Sequence, residues 1–296
     1  MKRTNLYKLL FLITFVVAGT YEAFAYSFEV NGIYYNVSFG DSTVYVTCGH
    51  YSSNSYSGMV TIPQKVTYNN KTYSVTSIGS GAFLLCTGLT SVAIPNSVTS
   101  IGSAAFDGCT GLTSVTIPNS VTSIGSSAFE GCTGLTSVAI PNSVTYIGDN
   151  AFYGCSNLLN VIIEGPISIV MSDTFKDCRK LKSVSLPYTV TAIKSKAFYF
   201  CEELTDFTCL AKTPPVINEF NSIYPGYYMA TLHVPEHSVE AYRATDWWSH
   251  FINIVGDASE DDTIPNTPAT DKCDTNDDGE VNIADVNRVI DAILSH

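Results

Sequence analysis

An acidic segment near the C-terminus has the residue types and spacing that bind a hard cation. In DTNDDGEVNIAD, residues 274–285, oxygen-bearing side chains occupy positions 1, 3, 5 and 12, and Gly279 at position 6 permits a sharp turn. Calcium takes about six to eight oxygen ligands, and this spacing wraps them around one point. The sequence therefore predicts one bound Ca2+, whose ligands are Asp274, Asn276, Asp278, the Glu280 carbonyl and Asp285.

One string has the pattern of a zinc protease without the backbone that such a site needs. His233-Val-Pro-Glu-His237 matches H-x-x-E-H, in which both imidazoles must lie on one face of a helix. Pro235 lies between them and breaks a helix, because it lacks an N–H group and its ring clashes with the preceding turn. We interpret the histidines as surface residues around a strand-to-helix turn. Nothing else in the sequence resembles a catalytic constellation, so we predict that the protein is not an enzyme.

Basic residues supply a second candidate binding site. No Lys or Arg occurs between Thr72 and Phe175, whereas several follow immediately afterwards. One interpretation is solvation of a more diverged part of the chain. The other is a site for an anionic ligand, such as a sulfated glycan or an acidic matrix protein. The candidate residues are Lys176, Arg179, Lys180, Lys182, Lys194 and Lys196.

Six of the nine cysteines recur at intervals of 23 residues. In an exported protein the default expectation is a disulfide framework. Side chains stacked on successive strands lie parallel and ~4.8 Å apart, whereas a disulfide needs Cβ atoms ~3.8 Å apart and turned toward each other. We therefore predict buried thiols, and leave Cys48 and Cys273 unassigned. The periodic cysteines are Cys86, Cys109, Cys132, Cys155, Cys178 and Cys201.

The same interval organises the whole middle of the chain. Six consecutive units of 23 residues begin at Val75, Val98, Val121, Val144, Ile167 and Val190. A column of one residue type at a fixed period means that each unit stacks on its predecessor and buries a face it cannot bury alone. Within a unit, L-x-x-V-x-I predicts a short strand ended by Pro, and the Ile-Gly-Ser-x-Ala-Phe segment predicts a return leg with one helical turn. The aromatic column is Phe83, Phe106, Phe129, Phe152, Phe175 and Phe198.

These units resemble leucine-rich repeats of the BspA-like class, whose consensus has the same Ile-Gly, Ala-Phe, Cys, Leu and Ile-Pro positions. The resemblance covers about residues 57–256 and implies a mainly β solenoid with an N-terminal and a C-terminal cap. Members of the class are surface or secreted proteins associated with adhesion to host matrix proteins or to other cells. The resemblance thus implies an adhesive or interaction role, while the fold itself is a scaffold.

The C-terminal segment resembles a single repeat of a dockerin, a module that tethers proteins by binding a cohesin. The resemblance rests on the calcium loop and on a following helix, Ile283–Leu294, and implies a small EF-hand-like tail. Dockerins normally carry two such repeats, so a cohesin-like partner is an open alternative. The apolar residues of this helix need a partner, a second copy or the C-terminal cap to cover them; they are Val286, Val289, Ile290, Ile293 and Leu294.

The N-terminus predicts export. A positively charged start, Lys2, Arg3 and Lys8, accompanies an apolar run that is too short to span a bilayer. Ala23-Phe24-Ala25 then matches a signal-peptidase site. We therefore expect a secreted or cell-surface protein and no transmembrane span. In the front cap, Asn31-Gly32 predicts a hairpin, and in the back cap we expect a helix that buries Val239, Tyr242 and one tryptophan. The predicted segments are a signal peptide at 1–25, an N-terminal β cap at 26–74, repeats at 75–212, a C-terminal cap at 213–256, an acidic linker at 257–273 and the calcium repeat at 274–296.

Charge and export together favour a binding protein. The net charge of −12 argues against nucleic acid as a partner, because phosphates would repel such a surface. The leading hypothesis is a non-enzymatic adhesion module for a protein or glycan on a host or neighbouring cell. The alternatives are an accessory subunit of a polysaccharide-degrading assembly, held there by the dockerin-like tail, and a structural component of the cell surface.

Overall fold

The computed structural model describes residues 26–38, 42–49, 55–217 and 229–258. The expected signal peptide, the acidic linker after Ala258 and the whole calcium repeat lie outside these ranges. In the described part of the chain the one α-helix is α1 (Val239–Arg243), and the remaining regular structure is β-strand and short 3-10 turns. The predicted mainly β solenoid is confirmed.

The front end is a small sheet of hairpins that leads into the repeats. Asn31 and Gly32 both have positive φ and join the first two strands in a tight antiparallel turn, as the Asn-Gly pair predicted. Asn69 and Asn70 do the same for the last pair. The strands are β1 (Phe28–Val30), β2 (Ile33–Val37), β3 (Thr43–Thr47), β4 (Gly58–Thr61), β5 (Lys65–Tyr68) and β6 (Lys71–Ile78).

Each repeat unit forms one rung of the solenoid and contributes two short strands. The first follows the L-x-x-V pattern, and the second is the Ser-Ile pair or its equivalent after the Pro turn. In chain order they are β7 (Leu89–Ala93), β8 (Ser100–Ile101), β9 (Ser114–Val115), β10 (Ser123–Ile124), β11 (Ser137–Ile140), β12 (Tyr146–Ile147), β13 (Asn160–Ile163), β14 (Ile169–Val170), β15 (Ser183–Leu186), β16 (Ala192–Ile193), β17 (Asp206–Cys209) and β18 (Val216–Ile217).

Parallel pairing between rungs produces two ladders on different sides of the solenoid. The first ladder consists of two hydrogen-bonded sheets, one with β4, β7 and β9 and one with β11, β13, β15 and β17. The second also consists of two, one that includes β6, β8, β10 and β12 and one with β14, β16 and β18. Paired residues are 23 positions apart, as in Val138 with Val161 and Ser123 with Tyr146. Because this register is the same for all paired strands of the repeats, the Phe and Cys columns predicted from the sequence form in space.

The core is the set of columns between the two ladders. The Phe rings stack face to face, with centroids 4.9 to 5.5 Å apart and planes within 10° of parallel. No member of this column is exposed to solvent. In the unit 121–143 the buried residues are Val121, Ile124, Ala128, Phe129, Cys132, Leu135, Val138, Ile140 and Pro141.

The return leg is not the helical turn that the sequence predicted. Its backbone N–H groups alternate between the same rung and the next: Ala105 donates to the Gly102 carbonyl, whereas Phe106 donates to the Ala128 carbonyl at 2.7 Å. A helix would use every N–H within its own rung. Ala104 adopts φ 52°, a left-handed conformation that redirects the chain and lets the inter-rung hydrogen bonds form.

The back end closes the stack with one more turn of chain and a short helix. β19 (Thr231–Pro235) pairs with β17, and β20 (Asn253–Ala258) pairs with β19, which extends the first ladder. Between them, α1 places Tyr242 against the last rung, and Trp248 follows in a 3-10 turn. Both rings are fully buried, as expected for Tyr242 and one tryptophan, whereas Val239 is only partly buried and Trp248 lies after the helix.

Candidate binding surface and the thiol column

The outward face of the first ladder is broad, and its central rungs carry small uncharged side chains. Residues that alternate with the buried Val column point outward, by the two-residue period of a strand. One column begins with Ser91, Ser114 and Ser137 and continues through Asn160 and Ser183 to Asp206. An outward face with small side chains lets a partner contact several rungs at once. The second outward column is Ala93, Thr116, Ala139, Ile162, Ser185 and Thr208.

Two of the six candidate bases form ion pairs within the chain. The Lys176 ammonium lies 3.1 Å from Asp173 and 5.0 Å from the centroid of the Tyr153 ring. The hydrogen bond from Lys176 to Asp173 raises the pKa of the ammonium. Arg179 contacts Asp177 at 2.9 Å and Glu202 at 3.4 Å. These ion pairs make both residues weaker candidates for an anionic ligand than the four bases that follow.

The other four bases have no ion-pair partner among the described residues. Lys180 and Lys182 are exposed, and Lys182 immediately precedes β15 of the first ladder. Lys194 and Lys196 are half-buried and follow β16 of the second ladder. The structure therefore places the candidate bases on two consecutive rungs but divides them between two sides of the solenoid.

The H-x-x-E-H string is divided between a strand and a 3-10 turn. His233 lies in β19, its Nδ1 is 2.8 Å from Asp257, and its Nε2 is 3.5 Å from Asp206. His237 lies in the exposed turn that follows Pro235. His233 thus connects three neighbouring strands, a role that the sequence pattern did not reveal because Asp206 and Asp257 are distant in sequence.

The six periodic cysteines are buried free thiols, as predicted. Each of those after the first donates a hydrogen bond to the carbonyl of a Phe in the preceding rung: Cys109 to Phe83 at 3.0 Å and Cys132 to Phe106 at 3.1 Å, for example. Burial raises the pKa of the Cys109 thiol to about 12. The column therefore combines a small apolar volume with a weak donor that satisfies a buried carbonyl.

We expect the buried thiols to be unreactive until the protein unfolds. In native protein at about pH 8, an aromatic disulfide reagent should leave the seven buried cysteines unmodified, because all seven are buried, only the thiolate is a nucleophile, and burial raises the pKa of five of them, Cys109, Cys132, Cys155, Cys178 and Cys209. A Cys48→Ser/Cys273→Ser variant isolates this set. Seven thiols should then appear in denaturant without reductant; a smaller number would reveal disulfides and contradict the thiol assignment.

Parallel ladders with buried Leu, Val and Ile columns define a leucine-rich-repeat solenoid. Within this class, the family model described as "BspA type Leucine rich repeat region" matches residues 76–205 in six copies, so this part of the chain is similar to that family. The family is a repeat scaffold rather than a catalytic family, and leucine-rich repeats mediate protein interactions.

Solved structures of bacterial proteins have the same fold. A leucine-rich cell surface protein of Faecalibacterium prausnitzii A2-165 is 27% identical with TM-score 0.56, and the match covers 72% of this chain and 71% of that one. A Bacteroides ovatus leucine-rich repeat protein is 29% identical with TM-score 0.50, and the match covers 71% of this chain but only 55% of that one. A leucine-rich repeat protein of T. pallidum is 24% identical with TM-score 0.56 over 69% and 90% of the two chains, and supports the fold alone.

Comparison with curated proteins gave no significant match. Among the described residues no helix is long and apolar enough to cross a membrane, and no group of His, Cys, Asp and Glu has the arrangement of a metal site. The predicted calcium ligands, Asp274, Asn276, Asp278, Glu280 and Asp285, lie outside the described residues, so calcium binding stays a prediction.

Proposed function

We propose that this chain is an exported, non-enzymatic adhesion protein that binds an anionic protein or glycan on a host or neighbouring cell. The observation that supports this function best is the outward face of the first ladder, flanked on rungs five and six by lysines without ion-pair partners in the described chain. An extended flat sheet favours a macromolecular ligand over a small one, because a small ligand needs a concave site.

The distribution of charge supports an anionic ligand. The protein as a whole carries a net charge of −12, so a polyanion approaches only where positive charge is concentrated. Lys180, Lys182, Lys194 and Lys196 provide that concentration because no carboxylate of the described chain neutralises them. Their separation between two sides of the solenoid suits a long polymer that wraps around an edge.

Binding by paired lysine variants tests this function. We expect Lys180→Gln/Lys182→Gln and Lys194→Gln/Lys196→Gln to weaken binding of heparin, as a sulfated glycan, by at least about tenfold each at low ionic strength. Lys65→Gln/Lys71→Gln at the front end changes the net charge equally and should bind like the unmodified protein. Surface plasmon resonance on residues 26–296 measures all three. Equal binding by every variant would overturn the assignment of the site.

A second function, attachment through the C-terminal tail, is supported by the calcium-loop sequence. In this case residues 274–296 bind Ca2+ and hold the protein on a cohesin-like partner of a polysaccharide-degrading assembly, while the solenoid acts as a spacer. Binding of residues 26–296 and 26–256 to a panel of matrix proteins and polysaccharides, in calcium and in chelator, separates the two functions. Attachment through the ladder is indifferent to chelator, whereas attachment through the tail is lost.

A further inference from the structure

The residues that immediately follow each Phe of the core form a half-exposed column on the return-leg side of the solenoid. Rungs one to six contribute, in order, Leu84, Asp107, Glu130, Tyr153, Lys176 and Tyr199. Read from either end, the order pairs residues that can attract each other. The two end positions, one and six, are apolar or aromatic. Position two is a carboxylate and position five an ammonium, and position three is a carboxylate and position four a phenol. This column, which we call the edge column, is a candidate interaction surface.

The surface next to the edge column is open backbone on rungs three and four, whereas the Leu85 side chain lies over Gly108 on rung two. Gly108, Gly131 and Gly154 occupy the adjacent position with positive φ, so side chains are disfavoured there. A methyl group at Gly131 would have the Gly108 Cα, at 3.7 Å, as its nearest neighbour, and no side chain would lie within contact distance. Leu85 and Phe200 bracket these glycines on rungs one and six. A partner can therefore approach the backbone closely at Gly131 and Gly154, between Leu85 on one side and Asp177 and Phe200 on the other.

The acidic half of the edge column has no counter-charge of its own. The sequence contains no Lys or Arg from residue 73 to residue 175, and neither Asp107 nor Glu130 forms an ion pair within the described chain. Partial burial and the neighbouring Glu130 raise the pKa of the Asp107 carboxyl. Units 98–120 and 121–143 are almost identical, and the position of Asp107 in the first is occupied by Glu130 in the second. Both rungs therefore carry a negative charge at this position.

The other half of the edge column contains a cation, Lys176, which is as far from the midpoint between rungs three and four as Asp107 is. Lys176 lies three rungs from Asp107, roughly 15 Å at ~4.8 Å per rung. Its ion pair with Asp173 uses one of the three ammonium hydrogens, and its side chain is 24% exposed. Asp177, the other acid on this rung near the glycines, is neutralised by Arg179 at 2.9 Å.

We propose that the edge column is the contact surface of an antiparallel homodimer, with its twofold axis between rungs three and four. This operation places Asp107 against Lys176 of the second copy and Glu130 against its Tyr153. It also brings Leu84 opposite Tyr199, and Leu85 opposite Phe200. Each of the contacts occurs twice because a twofold interface uses the same patch on both molecules. The occupant of this surface is thus a second copy of the chain.

The expected dimer is weak and depends on salt. Six rungs span only about 25 Å, so the contact area is small and lies in the range of transient complexes. Charge pairs at an exposed surface are screened within a Debye length of roughly 20 Å at about 20 mM salt and roughly 4 Å at about 500 mM. Dimerisation should therefore be detectable at high protein concentration and low ionic strength, and should weaken at high ionic strength.

Charge reversal tests the proposed pairing. In sedimentation equilibrium of residues 26–296, Lys176→Glu and Asp107→Lys should each weaken dimerisation by at least about tenfold, because each variant places like charges together at both symmetric contacts. The double variant Asp107→Lys/Lys176→Glu restores opposite charges and should restore dimerisation. An equimolar mixture of the two single variants should also associate, because their heterodimer regains both attractive pairs.

The controls distinguish this surface from general charge effects. Lys65→Glu on β5 changes the net charge by the same amount as Lys176→Glu and should dimerise like the unmodified protein. Circular dichroism and the melting temperature show whether each variant retains the fold. Monomer at every concentration and salt level, or single reversals without effect, or failure of the double variant to recover would each overturn the proposal.

Discussion

Phe129→Ala should destabilise the solenoid by about 3–5 kcal/mol, which is the range for removing a fully buried aromatic side chain. Phe129 lies in the middle of the aromatic column, 5.1 Å from the Phe106 ring and 5.2 Å from the Phe152 ring. Removing it leaves a cavity in contact with both neighbouring rungs, and register-locked backbone on either side prevents collapse. The melting temperature should fall by roughly 8–15 °C for a chain of this size.

Urea unfolding followed by circular dichroism measures this loss. Ile162→Ala, at an outward position of β13 where the side chain is 39% exposed, is the matched control and should change the free energy of unfolding by less than about 0.5 kcal/mol. A loss below about 1 kcal/mol for Phe129→Ala would show that the aromatic stack contributes little to stability.

Trp248→Ala should have a comparable effect by opening the C-terminal end. The Trp248 indole is fully buried and packs edge-on against Tyr242 at 5.2 Å and Phe207 at 5.9 Å. Its Nε1 donates a hydrogen bond to the Pro215 carbonyl at 2.8 Å. The substitution removes this volume and leaves a buried carbonyl without its donor, at a cost of about 3–5 kcal/mol in total.

Loss of the cap should also expose the last rung of the core. A solenoid needs a covered end for solubility, so we expect binding of a hydrophobic dye and aggregation before global unfolding. Trp248→Phe keeps an aromatic ring but not the N–H donor. Its dye binding should therefore lie between that of Trp248→Ala and that of the unmodified protein. Ile252→Ala, at a position 75% exposed, should behave like the unmodified protein. Unchanged dye binding by Trp248→Ala would contradict the capping role.

The sequence predicted the side-chain columns because a periodic residue type is visible without any knowledge of the backbone. Phe129, Cys132 and Leu135 could be assigned to the core from the interval alone, and the structure buries all three. The return leg was predicted wrongly because its conformation depends on hydrogen bonds between backbone groups. Every residue carries these groups, so the residue types do not reveal which of them pair. Ala104 adopts positive φ only because neighbouring rungs supply its hydrogen-bond partner, the Ser126 carbonyl.

The charge pairing on rungs five and six was only partly predictable. Arg179 contacts Glu202, and the two residues are 23 positions apart, so the repeat interval itself would have indicated this pair. Asp173, by contrast, neutralises Lys176 across a turn whose shape the sequence did not reveal. The second ladder was missed because each of its strands in the repeats contains only two residues, too few for a pattern of alternation.

Because the register of the stack is constant, the solenoid can be lengthened or shortened in equal steps of one unit. Units 98–120 and 121–143 differ at only three positions, and residues of the second unit pair in the same register with the units on either side. Recombination between their coding sequences would add or remove one unit of 23 residues while both ends remain unchanged. Each such event changes the distance between the two caps by ~4.8 Å. The distance between the N-terminal and C-terminal caps can therefore change in evolution without any change in the caps themselves.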